Sequence, residues 1–195
     1  MSLIELFPAL WPVVVQFDRL GIAYYIGGSV ASSIYGEPRS TLDIDLGVDL
    51  WESAVHELAT AWDGEFYVSE SAMRAAAQAG RSFNLIHYAT AMKVDIFVSK
   101  GDVFNSSVLK RRVAREVVLG GETLSVWFAT PEDVVLHKLI WFRKGNETSE
   151  RQWRDIAGIL KTQQSRLDIT YMTDWADRLH IRDLWDRIRS ELPSG

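Results

Sequence analysis

Apolar residues recur along the chain at two spacings, one typical of amphipathic helices and one typical of strands. Helical spacing predicts helices over residues 2–19, 28–35, 51–62, 70–79 and 103–109. Short apolar or alternating runs predict strands over residues 22–26, 41–48, 82–88, 92–98, 111–119 and 122–128. Because helices and strands are interspersed over this part of the chain, we predict an α+β fold in which a mixed sheet is flanked by helices.

The first predicted helix has its own start and stop signals. Ser2 and Glu5 have the spacing of a capping box, and Gly21 suits the position just after the last helical turn. Pro8 and Pro12 lie inside the helical pattern. Since proline removes a backbone donor and clashes with the preceding turn, we expect these two residues to bend or split the helix.

Beyond Phe128 the strand signals stop and only helical spacing remains. Thr130 precedes Pro131 and two acidic residues, a combination that starts helices. Helices are predicted over residues 130–142, 149–163, 168–178 and 181–192. No linker rich in proline, glycine or serine intervenes. We therefore predict an α/β core over residues 1–129 and a helical C-terminal portion over residues 130–195 that packs on the core.

Composition limits the kinds of site that the chain can build. The net charge of −5 argues against broad, sequence-independent nucleic-acid binding. The chain has no cysteine, and its 4 histidines lack metal-ligand spacing, so a metal site must be built from carboxylates, which favours Mg²⁺ or Mn²⁺. There is no signal-peptide pattern and no apolar run near the roughly 20 residues needed to span a bilayer. We expect a cytoplasmic protein without a membrane partner.

The predicted strand over residues 41–48 carries the first candidate site. Asp43 and Asp45 are two positions apart and therefore share one face of that strand. Two neighbouring carboxylates repel each other unless a cation lies between them, and Mg²⁺ with oxygen ligands often brings substrate phosphates. Gly27, Gly28 and Ser29 come just before a predicted helix, whose N-terminal N–H groups suit a phosphate. Phosphoryl or nucleotidyl transfer is the chemistry that this combination favours.

Asp95 is the third candidate carboxylate. It stands alone in the otherwise apolar strand predicted over residues 92–98. Three carboxylates from two strands suit a two-metal site, in which Asp95 would complete the site of the ion that activates the attacking hydroxyl. The structural alternative is that Asp95 caps a turn or pairs with Lys93 or Arg115.

Taken together, these residues resemble the nucleotidyltransferase-fold superfamily, whose fold is polymerase β-like. Its mark is a Gly-Gly or Gly-Ser step followed by a helix, an Asp-x-Asp strand and a later acid, which Gly28-Ser29, Asp43-x-Asp45 and Asp95 match. A narrower resemblance is to the AbiEii-like toxins of type IV toxin–antitoxin systems and their uncharacterised relatives. It rests on GGSVASSIYGEPRSTLDIDL, on Pro131-Glu132-Asp133…Lys138-Leu139 and on Ser149…Arg154-Asp155-Ile156.

The resemblance implies a Mg²⁺-dependent enzyme that moves an NMP unit from an NTP to an acceptor hydroxyl and releases pyrophosphate. By the same resemblance, Asp43, Asp45 and Asp95 would hold the metal, Ser29 would bind phosphate and Lys138 would lie near the triphosphate. A toxin role would add a cognate antitoxin as partner. The acceptor stays open between tRNA or other RNA, a small molecule and a protein hydroxyl. The alternative function is a non-catalytic protein of this fold that binds a nucleotide or a partner.

Several further residues carry two interpretations each. Arg39 and Thr41 flank the aspartate strand and join Gly28 as candidate nucleotide-binding residues. Arg39 either meets a phosphate or pairs with Glu37. Lys138 either extends to solvent or projects into the site, and Asp155 is either functional or paired with Arg151 or Arg154. The basic cluster over residues 110–115 is interpreted as a solvated edge strand rather than an RNA contact, and the 8 tryptophans as core or oligomer contacts.

Overall fold

The computed structural model describes residues 3–119 and 122–192. Its strands are β1 (Tyr24–Ile26), β2 (Asp43–Val48), β3 (Phe66–Tyr67), β4 (Ser82–His87), β5 (Lys93–Val98), β6 (Val113–Leu119) and β7 (Glu122–Phe128). Its α-helices are α1 (Leu3–Leu20), α2 (Gly28–Tyr35), α3 (Val55–Trp62), α4 (Glu70–Ala79), α5 (Val103–Arg111), α6 (Pro131–Lys144), α7 (Glu150–Gln163), α8 (Ile169–Arg178) and α9 (Arg182–Glu191). Within these residues no helix is both long and apolar enough to cross a lipid bilayer.

The strands form one seven-stranded sheet in the order β3-β4-β5-β2-β1-β7-β6. Strands β2 and β5 are parallel, as are β1 and β7, and the other neighbouring pairs are antiparallel. The predicted α+β class with a mixed sheet is therefore confirmed. Strand β3 was missed, because two residues are too short to show an alternating pattern.

Contacts within the chain define two compact units. The first contains Met1–Val30 and Ser40–Ala129, and the second contains Ala31–Arg39 and Thr130–Gly195. The sequence pattern placed residues 31–39 with the α/β core, whereas the structure groups them with the helical residues. The reason is close packing within the second unit, where a Cβ on Gly36 would lie 2.8 Å from the backbone nitrogen of Ile159.

In the first unit, α1 is one continuous helix. Pro8 and Pro12 lie inside it, so the expectation that they split it is wrong. The helix keeps a fully buried apolar face that includes Leu10 and Phe17, and this burial offsets the backbone hydrogen bonds that the prolines remove. Its end is as predicted, since Gly21 has a φ of +70°. Ser2, the predicted cap, lies outside the described residues.

The second unit begins with the predicted helix start. The side chain of Thr130 accepts a hydrogen bond from the backbone of Asp133, and Pro131 occupies the first helical position of α6. Helix α6 contacts both α7 and α8, and α8 contacts α9. Trp185 on α9 is fully buried, in line with the interpretation of the tryptophans as core residues, whereas Trp141 on α6 is 46% exposed.

Candidate functional site

Strands β2 and β5 bring the three predicted carboxylates onto one face of the sheet. The strands are parallel and in register, so that Asp45 lies opposite Asp95 and Asp43 lies opposite Lys93. Partners in register point to the same side of a sheet. We call these four side chains the acidic face. The residues between them point the other way into the core, where Ile44, Leu46, Val94 and Ile96 are fully buried.

One cation lies within the acidic face. Lys93 Nζ is 2.8 Å from Asp95 Oδ2, with the two side chains 42% and 22% exposed. The hydrogen bond to Asp95 raises the pKa of Lys93, and the charges of Asp95, Asp43 and Asp45 add to it, against a smaller opposing effect of burial. The structural alternative for Asp95, a pairing with Lys93, is therefore realised.

The side chains of the acidic face are of the right chemical type to bind a divalent cation, but they are not close enough together to do so. Three carboxylates from neighbouring strands are the oxygen donors that Mg²⁺ and Mn²⁺ prefer. Among residues 3–119 and 122–192, however, no three carboxylate or histidine side chains are gathered closely enough to hold a metal ion. The carboxylates would have to converge to bind one, and Asp95 would have to exchange its contact with Lys93.

Gly28 brings the start of α2 against Asp45. Its φ is +53°, and a Cβ built on it would lie 1.8 Å from Asp45 Oδ2. The backbone N–H of Gly27 also donates to the carbonyl oxygen of Asp45 over 2.9 Å. A helix N-terminus favours a nearby negative charge. The structure thus joins the glycine step and the Asp-x-Asp strand, with half-buried Ser29 next in the first turn of α2.

Thr41 acts on the backbone at the start of β2. Its hydroxyl donates to the carbonyl oxygen of Asp43 over 3.2 Å and accepts from the backbone N–H of Asp43 over 3.3 Å. These two contacts hold the first residue of the aspartate strand. The Thr41 hydroxyl therefore positions the backbone of Asp43.

The other candidate cations meet in the second unit, on Asp155. Arg39 donates to both carboxylate oxygens through Nε and Nη2, with Nε–Oδ1 and Nη2–Oδ2 distances of 3.0 Å. Lys138 Nζ is 2.8 Å from Asp155 Oδ2, and the side chains of Lys138 and Asp155 are each 8% exposed. We call these three side chains the Asp155 cluster.

This cluster bears on the structural alternatives that the sequence left open for three residues. Arg39 pairs with Asp155, a partner that neither alternative named, and Asp155 pairs with Arg39 and Lys138 where the sequence offered Arg151 or Arg154. Lys138 is buried and does not extend to solvent. Burial alone would raise the pKa of Asp155, but the hydrogen bonds and charges of Arg39 and Lys138 outweigh it and lower that pKa below its ordinary value.

Two residues beside the acidic face have a weak sequence signal or none. The ring of Tyr25 lies where a Cβ on Gly47 would be, at 2.1 Å from Tyr25 Cζ. Gly47 follows Asp45 on the same side of β2, and a glycine inside a strand does signal such a close approach. Asn84 on β4 is the register partner of Asp95 and is exposed; nothing in its sequence context marks it.

The basic cluster over residues 110–115 is divided between two elements. Lys110 and Arg111 end α5, while Arg115 is exposed on β6, the strand at one edge of the sheet. Arg112 lies between these elements, 4.6 Å from the ring centroid of Trp127. The interpretation of a basic edge strand therefore holds for Arg115 alone, because the other three residues precede β6.

Among comparisons with known proteins, only those with solved structures found a match. No family model matches the sequence, and no curated protein matches it. An antigenic nucleotidyltransferase-like protein from Paracoccidioides brasiliensis superposes with a TM-score of 0.51 at 16% identity, covering 95% of this chain and 93% of that one. The chain has a nucleotidyltransferase fold.

A second solved protein supports the same conclusion. The crystal structure of ANT(2")-Ia in complex with adenylyl-2"-tobramycin superposes with a TM-score of 0.55 at 11% identity, covering 89% of this chain and 98% of that one. The solution structure of the same antibiotic-resistance factor gives 0.52 at 12% identity, covering 98% and 96%. The nucleotidyltransferase fold predicted from the glycine step and the aspartates is confirmed, whereas the narrower AbiEii-like resemblance stays a prediction.

Proposed function

We propose that this chain is a nucleotidyltransferase that uses Mg²⁺, or Mn²⁺ in its place, to move an NMP unit from an NTP to an acceptor hydroxyl with release of pyrophosphate. One observation carries the proposal. Asp43, Asp45 and Asp95 share one face of two neighbouring strands, and the start of α2 at Gly28 lies against Asp45. In this fold, the carboxylates would bind a cation and the start of α2 would bind a phosphate beside it.

The carboxylates of Asp43, Asp45 and Asp95 would hold the metal. When bound, the metal supplies an activated hydroxyl and neutralises charge on the phosphates. The chain's own residues do the rest: Gly28 leaves room for Asp45 at the helix start, and the N–H groups and Ser29 hydroxyl in the first turn of α2 bind phosphate. Thr41 keeps the backbone of Asp43 in place.

Arg39 and Lys138 stay predicted nucleotide-binding residues on the sequence alone. Both donate to Asp155. Guanidinium and ammonium groups are the side chains that suit an anionic triphosphate. Under this proposal, Asp155 is a positioning residue that orients the two cations.

A small molecule carrying a hydroxyl is the acceptor that we favour. The support is the structural likeness to ANT(2")-Ia, which was solved with adenylyl-2"-tobramycin. The 3′ end of tRNA, a protein hydroxyl, the role of a toxin and a cognate antitoxin rest on the sequence resemblance alone and stay predictions. The label-transfer experiment described next compares these acceptors directly.

The test is transfer of label. The protein is incubated with Mg²⁺ and each α-labelled NTP, in separate reactions with an aminoglycoside panel that includes tobramycin, with total tRNA and with total cell protein. We expect one NTP to label one acceptor class with release of pyrophosphate, and the Asp45→Asn variant to label none. If no acceptor is labelled and no pyrophosphate forms with any NTP, the proposed enzyme activity is wrong.

A second function is favoured by one specific observation. The ammonium of Lys93 is paired with the carboxylate of Asp95. Among the described residues, Asp43, Asp45 and Asp95 are not close enough together to hold one metal ion. This arrangement would suit a non-catalytic protein that binds a nucleotide or a partner. Calorimetry with Mg²⁺ and each NTP separates the two functions, because tight nucleotide binding without pyrophosphate release across all acceptors would favour the non-catalytic one.

A further inference from the structure

Lys93 is the one side chain of the acidic face that is not a carboxylate. It lies opposite Asp43 across the β2–β5 ladder, two positions before Asp95 on its own strand. Its Nζ contacts Asp95 Oδ2 over 2.8 Å, and 42% of its side chain is exposed. Lys93 therefore contacts one proposed metal ligand, Asp95, and is the register partner of another, Asp43.

We infer that Lys93 is the resident counter-cation of the acidic face, which a divalent cation must displace from Asp95 in order to bind. The inference rests on the proposed metal site. It adds a residue that sets the metal concentration at which the site fills.

The electrostatics of the face support this role. Three carboxylates on strands that lie roughly 4.8 Å apart repel one another. The Lys93 ammonium offsets one of the three charges, which lets the strands pair without metal. A divalent cation brings twice that charge and binds carboxylate oxygens directly, but it is itself repelled by an ammonium at the same place. The two cations therefore compete for Asp95.

The chemistry of lysine suits a displaceable cation. An ammonium is a compact charge on a flexible stem, whereas the planar guanidinium of arginine holds a carboxylate through two parallel hydrogen bonds. The partly exposed stem of Lys93 allows its ammonium to turn toward water when the metal arrives. Lysine at this position thus offsets part of the negative charge and can still be displaced.

The test measures Mn²⁺ binding to the nucleotide-free protein, by the loss of the free-ion signal in electron paramagnetic resonance. We expect Lys93→Met to bind Mn²⁺ roughly tenfold more tightly than the wild type, or about 1.4 kcal/mol. Lys93→Arg should bind no more tightly than the wild type, because the charge remains. Lys161→Met removes an exposed lysine of α7 and controls for the general change in charge; its affinity should be unchanged.

Thermal unfolding gives a second measurement that is independent of activity. In EDTA, Lys93→Met should unfold at a lower temperature than the wild type, because its carboxylates have lost their cation. Saturating Mn²⁺ should raise the unfolding temperature more in Lys93→Met than in the wild type. Adding Asp45→Asn should remove the Mn²⁺ effect and so assign it to the acidic face.

The outcomes distinguish this inference from the proposed function. Equal Mn²⁺ affinity in the wild type and Lys93→Met would overturn the inference and leave the metal site intact. The same gain in Lys161→Met as in Lys93→Met would also overturn it, since the effect would then come from net charge. If neither protein binds Mn²⁺, the metal site of the proposed function is wrong and the inference falls with it.

Discussion

The acidic face and the Asp155 cluster are built from the same kinds of side chain in opposite proportions. The acidic face has three carboxylates and one ammonium, and its ion-paired side chains are 22% and 42% exposed. The Asp155 cluster has one carboxylate and two cations, and Lys138 and Asp155 are each 8% exposed. The acidic face is therefore built mainly from carboxylates. The Asp155 cluster is built from cations around a more deeply buried carboxylate, although Arg39, at 23%, is as exposed as Asp95.

This difference predicts different consequences when a carboxylate is removed from each region. Exposed carboxylates can keep an excess of charge because water solvates them, and such a face gains most from an added cation. A buried carboxylate that accepts hydrogen bonds from two cations needs no further ligand. Removing its charge leaves the buried cations without compensation and so lowers the stability of the fold. We therefore expect substitutions in the acidic face to affect mainly activity, and removal of the Asp155 carboxylate to affect mainly folding.

The largest expected effect comes from the acidic face. Asp45→Asn should lower NMP transfer on the order of 10³-fold, because a metal contributes several kcal/mol to such a reaction. Its unfolding temperature should change little, since the repulsion from Asp43 and Asp95 is lost together with the favourable charge beside the start of α2. Steady-state pyrophosphate release and thermal unfolding check both parts, with exposed Asp63→Asn as the control. A stable Asp45→Asn variant with full transfer would remove Asp45 from the site.

Breaking the closed cluster should cost stability instead. Asp155→Asn leaves Arg39 and Lys138 facing a neutral amide, and we expect a loss of about 3 kcal/mol in the free energy of unfolding. Urea unfolding measures this change. Asp174→Asn, at an exposed position of α8, is the matched control and should stay within about 0.5 kcal/mol of the wild type. A loss as small as that of the control would show that the cluster is not a major source of stability.

Gly28→Ala tests the contact between α2 and the acidic face. A Cβ there would lie 1.8 Å from Asp45 Oδ2 in a backbone with φ of +53°. We expect a loss of about 2–3 kcal/mol in the free energy of unfolding, from strain and displaced packing together. Gly64→Ala is the control, because its φ is +83° with no atom within 4 Å of the added Cβ.

The control isolates the two costs. Gly64→Ala should lose only the backbone term, about 1 kcal/mol. The two variants are compared by urea unfolding, and their Mn²⁺ affinity is measured as well. Equal losses, with equal Mn²⁺ affinity, would mean that the space above Gly28 does not constrain Asp45.

The smallest expected effect is in the pH dependence of stability. The folded state lowers the pKa of Asp155 below its ordinary value of 3.8. The ion pair therefore stabilises the protein fully at neutral pH, and this stabilisation is lost as the pH falls below that value. Urea midpoints measured at a series of acidic pH values should fall more steeply for the wild type than for Asp155→Asn. Parallel curves would contradict the lowered pKa.

The sequence patterns predicted the local parts of both regions well. The alternation of Asp43 and Asp45 with Ile44 and Leu46 predicted a strand with one polar face, and the structure has it as β2. The signals at Thr130 and Pro131 predicted the start of α6. These predictions succeed because periodicity and caps depend on residues within a few positions of one another. The continuity of α1 through Pro8 and Pro12 was missed, since burial of its apolar face depends on distant residues.

The sequence by itself determined which residues carry charge and which side of each strand they occupy. It could not determine their partners. Asp95 pairs within its own strand with Lys93, an alternative that local spacing already offered. Arg39 and Asp155 are 116 residues apart, and nearer residues of suitable charge were available to both. Only the tertiary structure decided that pairing, because an ion pair forms between charges that folding brings close in space, whatever their separation along the chain.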